Sequence, residues 1–215
     1  MHAVLFDLDG TFADTAPDLA RALNRVRAER GLAPLPPEVA RPHTSSGARG
    51  LLKAGFGVTP ESEDYGTLRE SFLDWYAKEL CIDTRLFDGI PEVLMKIRAR
   101  QLPWGIVTNK GKRFTEPLLR LLAVDQLAGC VVSGDSTAHV KPHPAPLLLA
   151  ASLLSLPPAQ CLYVGDDLRD AQAARAADMR FFAAGWGYLG EGGDPKTWDA
   201  DAVIAHPREI LDLLS

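Results

Sequence analysis

Five short apolar runs stand out along the chain, at residues 3–8, 104–108, 130–133, 161–165 and 179–184. Each has the length of a strand, and an apolar run without polar alternation suits a strand covered on both faces. Between them, apolar residues recur at three- and four-residue spacing, the period of a helix with one buried face. Val93, Leu94 and Ile97 mark one such helix, Leu118, Leu119 and Leu122 a second, Leu147, Leu148 and Ala151 a third. Strand alternating with helix predicts an α/β fold built on a doubly wound parallel sheet.

One interval breaks that rhythm. Residues 16–85 carry helical periodicity, in Leu19, Leu23 and Val26 and again along 68–80 with Phe72, Trp75 and Tyr76, but no convincing buried strand. The economical reading is a small helical cap inserted after the first strand. It predicts a core domain from residues 1–15 and 86–215, a cap domain over 16–85, and hinges at 14–17 and 84–89.

Composition narrows the picture. At 215 residues the chain fits one ordinary domain or a core plus a modest insert, and 47% hydrophobic with 24% charged residues is close to the soluble average. A formal charge of −5 leaves no basic footprint, which argues against a nucleic-acid partner. No segment approaches the roughly 18 apolar residues that a membrane span requires, and the N-terminus lacks the pattern of a signal peptide. Cys81, Cys130 and Cys161 lie far apart without metal or redox spacing; Cys130 and Cys161 each open an apolar stretch and read as small buried hydrophobes. An odd count fits a reducing cytoplasm. The expectation is a soluble cytoplasmic protein, with monomer and homodimer both open.

The candidate chemistry sits at the ends of the apolar runs. Asp7-Leu8-Asp9-Gly10-Thr11 closes the first, where ligands of open parallel sheets bind. Strand alternation puts Asp7 and Asp9 on one side, and Gly10 lets the chain turn sharply. One carboxylate can attack while its neighbour handles a proton. Thr108-Asn109 ends the second run and offers a hydroxyl and an amide to phosphate oxygens, or a helix cap. Lys141-Pro142 lies in a loop ahead of the third helix, where a compact charge suits a phosphate, or simply solvent. In Gly165-Asp166-Asp167-Leu168-Arg169-Asp170 a helix starting at the strand end would place Asp166 and Asp170 on one face, with Asp167 as cap or ligand. If these strand ends meet, the carboxylates repel by about 4 kcal/mol for each pair roughly 4 Å apart at an effective dielectric of 20. A cation is implied, and an all-oxygen set without histidine or thiolate points to Mg²⁺. His43, His139 and His143 show no ligand spacing with one another and read as surface or loop residues.

Taken in order, Asp7-x-Asp9-Gly10-Thr11, Thr108-Asn109, Lys141-Pro142 and Gly165-Asp166-Asp167-x-x-Asp170 resemble the four signature motifs of the haloacid dehalogenase (HAD) superfamily, over essentially the whole chain. The helical insert after the first motif, and Asp14-Thr15-Ala16-Pro17-Asp18-Leu19, are similar to its phosphoglycolate phosphatase-like branch. Ser46-Gly47-Ala48-Arg49, Leu86-Phe87-Asp88-Gly89, residues 104–110, and the tail with Gly187-Tyr188, Trp198 and His206-Pro207 look like the N-acetylmuramic acid 6-phosphate phosphatases within it. Phe12 and Ala13 depart from the usual aliphatic residues, a change expected in packing under the cap.

The resemblance implies a phosphatase acting on a small phosphorylated metabolite, 2-phosphoglycolate or N-acetylmuramic acid 6-phosphate. Asp7 becomes the nucleophile and Asp9 the acid and base. Thr108, Asn109 and Lys141 hold the phosphoryl group. Mg²⁺ sits on Asp7, the Asp9 carbonyl, Asp166 and, through water, Asp170. Ser46, Gly47 and Arg49 bind substrate from the cap, with Arg49 as a fork for an acid group. A phosphosugar mutase of the β-phosphoglucomutase type shares the core and is the alternative. A dehalogenase is disfavoured by the acid at Asp9, and a signalling receiver domain by the insert.

Overall fold

The structure, a computed structural model, describes residues 1–190 and 192–213. Among the described residues eight strands form in chain order: β1 (Ala3–Phe6), β2 (Ala13–Asp14), β3 (Arg85–Leu86), β4 (Trp104–Val107), β5 (Cys130–Val132), β6 (Cys161–Gly165), β7 (Arg180–Ala184) and β8 (Ala202–Ile204). Six of them make one parallel sheet in the order β5-β4-β1-β6-β7-β8. Its central strand, β1, pairs Phe6 with Ile106 on one side and with Val164 on the other. The chain steps outward from β1 through β4 to β5, then crosses back to β6 and proceeds to β8. The reversal of strand order flanks β1, the place where open sheets of this kind bind ligands.

Nine helices accompany the strands among the described residues: α1 (Ala16–Glu29), α2 (Pro37–Ala40), α3 (Gly47–Phe56), α4 (Tyr65–Lys78), α5 (Ile90–Ala99), α6 (Lys112–Leu121), α7 (Ala145–Leu153), α8 (Leu168–Ala176) and α9 (Glu209–Leu213). None is long and apolar enough to cross a membrane. Both sheet faces are covered, as the unalternated runs require. Along β1, Val4 and Phe6 enter one core with Ile90, Val93 and Ile97 of α5 and Leu118 and Leu119 of α6. Ala3 and Leu5 point the other way, into a second core with Leu147 of α7 and Ala171 and Ala174 of α8.

Helices α1–α4 and a 3-10 turn at Arg41–Ser46 occupy the interval between β2 and β3. These two short strands pair antiparallel, Ala13 opposite Leu86 and Asp14 opposite Arg85, so the chain departs and returns side by side. Asp18, in the first turn of α1 and fully buried, reinforces the junction. It accepts from Thr84 N at 2.8 Å, Thr84 Oγ1 at 2.6 Å and Asp83 N at 3.0 Å, and it pairs with Arg21.

The structure adds and adjusts elements. β8 is an edge strand that the apolar pattern did not predict, and β2 and β3 are too short to show a period. Phe12 packs on Trp104 (centroids 5.4 Å, 18° between planes) and against Phe6, so its departure from the usual aliphatic residue is absorbed at the sheet. Cys130 and Cys161 are buried, as their apolar settings predict.

Candidate active site

Asp7 directly follows β1, and its amide extends the ladder by one bond to Val164 O at 2.9 Å. Its carboxylate is nearly buried, with Oδ1 2.8 Å from Lys141 Nζ. That contact is an ion pair without hydrogen-bond geometry, which leaves Oδ1 without a directed partner. Lys141 is 3% exposed. Its ammonium also lies 2.7 Å from Asp170 Oδ1, and it donates to the Tyr163 hydroxyl at 2.7 Å and Val107 O at 3.1 Å. Asn109 fixes the loop that carries it: the Asn109 amide donates to Lys141 O, and its oxygen accepts from Lys141 N, both at 2.9 Å. Asn109 thus lines the cleft with one N–H to spare and holds the lysine loop with the rest. Thr108, 2% exposed, accepts from Lys110 N at 3.1 Å and keeps its own hydroxyl hydrogen free to donate.

Asp166 is fully buried at the end of β6. Its oxygens accept from Thr11 Oγ1 at 2.9 Å and Tyr188 N at 2.8 Å. Gly10, at φ +86°, passes so close that a Cβ there would stand 2.2 Å from Asp166 Oδ2. The expectation that Asp166 and Asp170 share a helix face needs correction. α8 begins at Leu168, so Asp166 precedes it, and the strand end brings the two carboxylates together. Asp167 is the helix cap: it accepts from Arg169 N at 2.9 Å while Asp170 accepts from Asp167 N at 3.1 Å, a reciprocal capping box. Arg169 also grips Asp167 through Nε and reaches Ser45 O at 2.7 Å.

Ligand atoms of Asp7, Asp166 and Asp170 lie within 4.8 Å of one another. Burial, opposed by Lys141 and reinforced by Asp170 and Asp9, pushes the Asp7 carboxyl up to about 7. Burial, then Asp7 and Asp170, hold Asp166 well above the usual carboxylate range. Burial works against the charge of Lys141, but Asp170 and Asp7 outweigh it and keep the ammonium above its ordinary value. One buried cation against three buried carboxylates is an unbalanced set. Its oxygen-only donors and the undirected Asp7 Oδ1 fit a hard divalent cation.

Asp9 points elsewhere. It accepts from Lys110 Nζ at 2.8 and 3.1 Å and from the Thr15 hydroxyl, and Lys110 rests over the Tyr76 ring of α4, 4.7 Å from its centroid. Above this floor opens a cleft of about 630 Å³, lined among others by Asp7, Asp9, Thr108, Lys141, Ser46, Gly47 and Arg49. The structure therefore brings every residue of the anticipated site to the cleft or to its floor.

Several participants escaped the sequence reading. Tyr163 sits inside an apolar strand and looks like core, and Lys110 follows Thr108-Asn109 without a motif role of its own. Tyr188 links Asp166 to the hinge, its hydroxyl accepting from Thr15 N and Ala16 N and donating to Asp14. His139 and His143 are exposed loop residues, as read from the sequence, and their rings lie tilted at 38° with centroids 4.6 Å apart, whereas His43 is half-buried in the 3-10 turn.

A family model described as haloacid dehalogenase-like hydrolase matches residues 4–184. The N-acetylmuramic acid 6-phosphate phosphatase of Pseudomonas aeruginosa is 41% identical over 214 residues, covering 100% of this chain and 95% of that protein. A phosphoglycolate phosphatase of Xanthomonas campestris pv. campestris is 40% identical over 211 residues, with 98% and 95% covered. Among solved structures, a predicted phosphoglycolate phosphatase from Haemophilus somnus superposes with a TM-score of 0.88 at 26% identity, over 100% of this chain and 98% of that one. Full-length matches of this kind, together with the acidic floor, establish the chain as a phosphomonoester hydrolase. It belongs to the haloacid dehalogenase-like hydrolases.

Proposed function

We propose that this enzyme is a magnesium-dependent phosphatase that acts on a small phosphorylated metabolite through an aspartyl-phosphate on Asp7. The observation that carries the reading is the floor itself: Asp7, Asp166 and Asp170 gathered together, the Lys141 ammonium against Asp7 and Asp170, and the Thr108 hydroxyl free to donate. Asp7 attacks phosphorus, the ester bond breaks, and the leaving oxygen takes a proton from Asp9. Asp9 then takes a proton from water as that water attacks phosphorus, and Asp7 departs as a carboxylate while inorganic phosphate is released. Thr108, Asn109 and Lys141 hold the phosphoryl oxygens throughout. Asp7, Asp166, Asp170 and the Asp9 carbonyl are the residues that would hold Mg²⁺, which supplies positive charge against the phosphoryl oxygens. Positioning and charge neutralisation account for most of the rate in such transfers.

In this reading residues 1–15 and 86–215 form the core domain and 16–85 a cap. Ser46, Gly47 and Arg49 meet the substrate from the cap side. Likeness to the two relatives supports 2-phosphoglycolate or N-acetylmuramic acid 6-phosphate as substrate, and a cleft of about 630 Å³ has room for the bulkier sugar acid. The test is phosphate release from both compounds, with Mg²⁺ and with chelator. Release is expected only with the metal, and Asp7→Asn should lower it by more than roughly 10³-fold while leaving the circular dichroism spectrum unchanged. Transfer of phosphate within a sugar phosphate, in place of release, would make the enzyme a mutase. Normal turnover by the folded Asn variant would remove Asp7 as nucleophile.

A further inference from the structure

We propose that Arg69 and Arg113 select the substrate by binding a carboxylate that a sugar-sized phosphomonoester carries at the end opposite its phosphate. The proposal rests on the phosphatase reading above and names the class of molecule that reading admits.

The cleft divides into two electrostatic regions. On its floor the available cations are already engaged by carboxylates: Asp7 and Asp170 share Lys141, Asp9 faces Lys110, and Asp167 faces Arg169. The outer wall is different. One stripe of α4 lines it with Tyr65, Arg69, Phe72, Leu73 and Tyr76, residues whose spacing places them on a single helix face. The first turn of α6 adds Arg113 and Phe114, and the two helices meet where Tyr76 packs on Phe114 with centroids 5.4 Å apart. Arg69 and Arg113 are exposed where the cleft opens to solvent, and among the described residues neither makes a hydrogen bond or an ion pair. The Arg113 guanidinium instead lies over the Phe114 ring, 4.4 Å from its centroid. A guanidinium stacked in this way keeps its N–H edge turned outward, and that edge matches a planar carboxylate bidentately. Arg49 of α3 lines the same cleft, with the exposed carboxylate of Glu61 near enough to feel its charge.

An apolar, aromatic wall ending in unpartnered arginines suits a ligand with a carbon skeleton between two anionic ends. The phosphate of such a ligand reaches Lys141 while its ring lies against the half-buried Tyr65 and Leu73. In 2-phosphoglycolate the carboxylate is one carbon from the ester oxygen, so it stays on the floor and cannot use the wall. A pyranose phosphate with a carboxylated side arm spans the distance.

Two sugars that differ only in that arm provide the test. N-acetylmuramic acid 6-phosphate carries the lactyl carboxylate, and N-acetylglucosamine 6-phosphate lacks it. The wild-type enzyme is expected to favour the first in kcat/KM by on the order of 10- to 100-fold, the range of a charged hydrogen bond. In the Arg69→Gln/Arg113→Gln double variant that ratio should fall to near one, chiefly through KM for the carboxylated sugar. A wild type indifferent to the lactyl group, or a double variant that keeps the full preference, would overturn the proposal. Calorimetric binding of the carboxylated sugar to Asp7→Asn, with and without the two arginines, reads the same contact without turnover. Arginine-dependent binding with no phosphate release by the wild type would sink the phosphatase reading alone. Release that ignores the arginines would sink the selection alone.

Discussion

Asp7 must carry a negative charge where water cannot stabilise it. Burial is the largest influence on it, and Lys141 only partly compensates, so its carboxyl titrates at about 7 in the metal-free protein against about 3.9 for a free side chain. The folded state therefore holds this proton more tightly than the unfolded chain. Its penalty is absent below pH ~4, grows as the pH rises, and is complete above about 7. In chelator, the melting temperature should carry a downward contribution from this group across that window. Asp7→Asn should flatten it and melt higher than the wild type at pH 8. Thermal unfolding of both proteins between pH 4 and 8 checks this; parallel profiles would mean that Lys141 alone already balances the Asp7 charge.

At the scale of elements, the junction between the sheet and α1–α4 hangs on Asp18. Its carboxylate satisfies two backbone N–H groups and a hydroxyl from Asp83 and Thr84, in addition to its pairing with Arg21. Asp18→Ala leaves those donors buried and unpaired and should destabilise the protein by about 2–5 kcal/mol in urea unfolding, with Asp18→Asn losing less because one acceptor oxygen remains. A loss below about 1 kcal/mol would show that water replaces the carboxylate. Five of the six strands of the parallel sheet, β5 at one edge included, were legible in the sequence because a strand covered on both faces is apolar throughout. β8 was not, since only three residues pair there and Val203, at the sheet edge, is 39% exposed. For β2 and β3 two residues cannot display a period.

Across the whole molecule, the carboxylates at the floor were legible for a topological reason. A parallel sheet delivers every strand's carboxyl end to one edge, so Asp7, Thr108 and Asp166 had to converge. Tyr163, Lys110, Arg69 and Arg113 were not legible, because their roles depend on what packs opposite them: a tyrosine in an apolar run reads as core, and an arginine on an exposed helix face reads as solvated. Filling the floor should be felt globally. Mg²⁺ at a hundred times its dissociation constant should raise stability by about 2.7 kcal/mol, visible as a higher melting temperature, and Asp166→Ala should abolish the gain. An equal gain in that variant would place the ion elsewhere. The pairing of Ala13 with Leu86 has a consequence for descent. The chain exits the sheet and re-enters it at neighbouring points, so everything between can lengthen, shorten or be exchanged without rerouting a single core strand. Relatives can thereby acquire new substrate tastes on an inherited chemical engine, and chimeras spliced at these two residues are the units with which to move a preference from one enzyme to another.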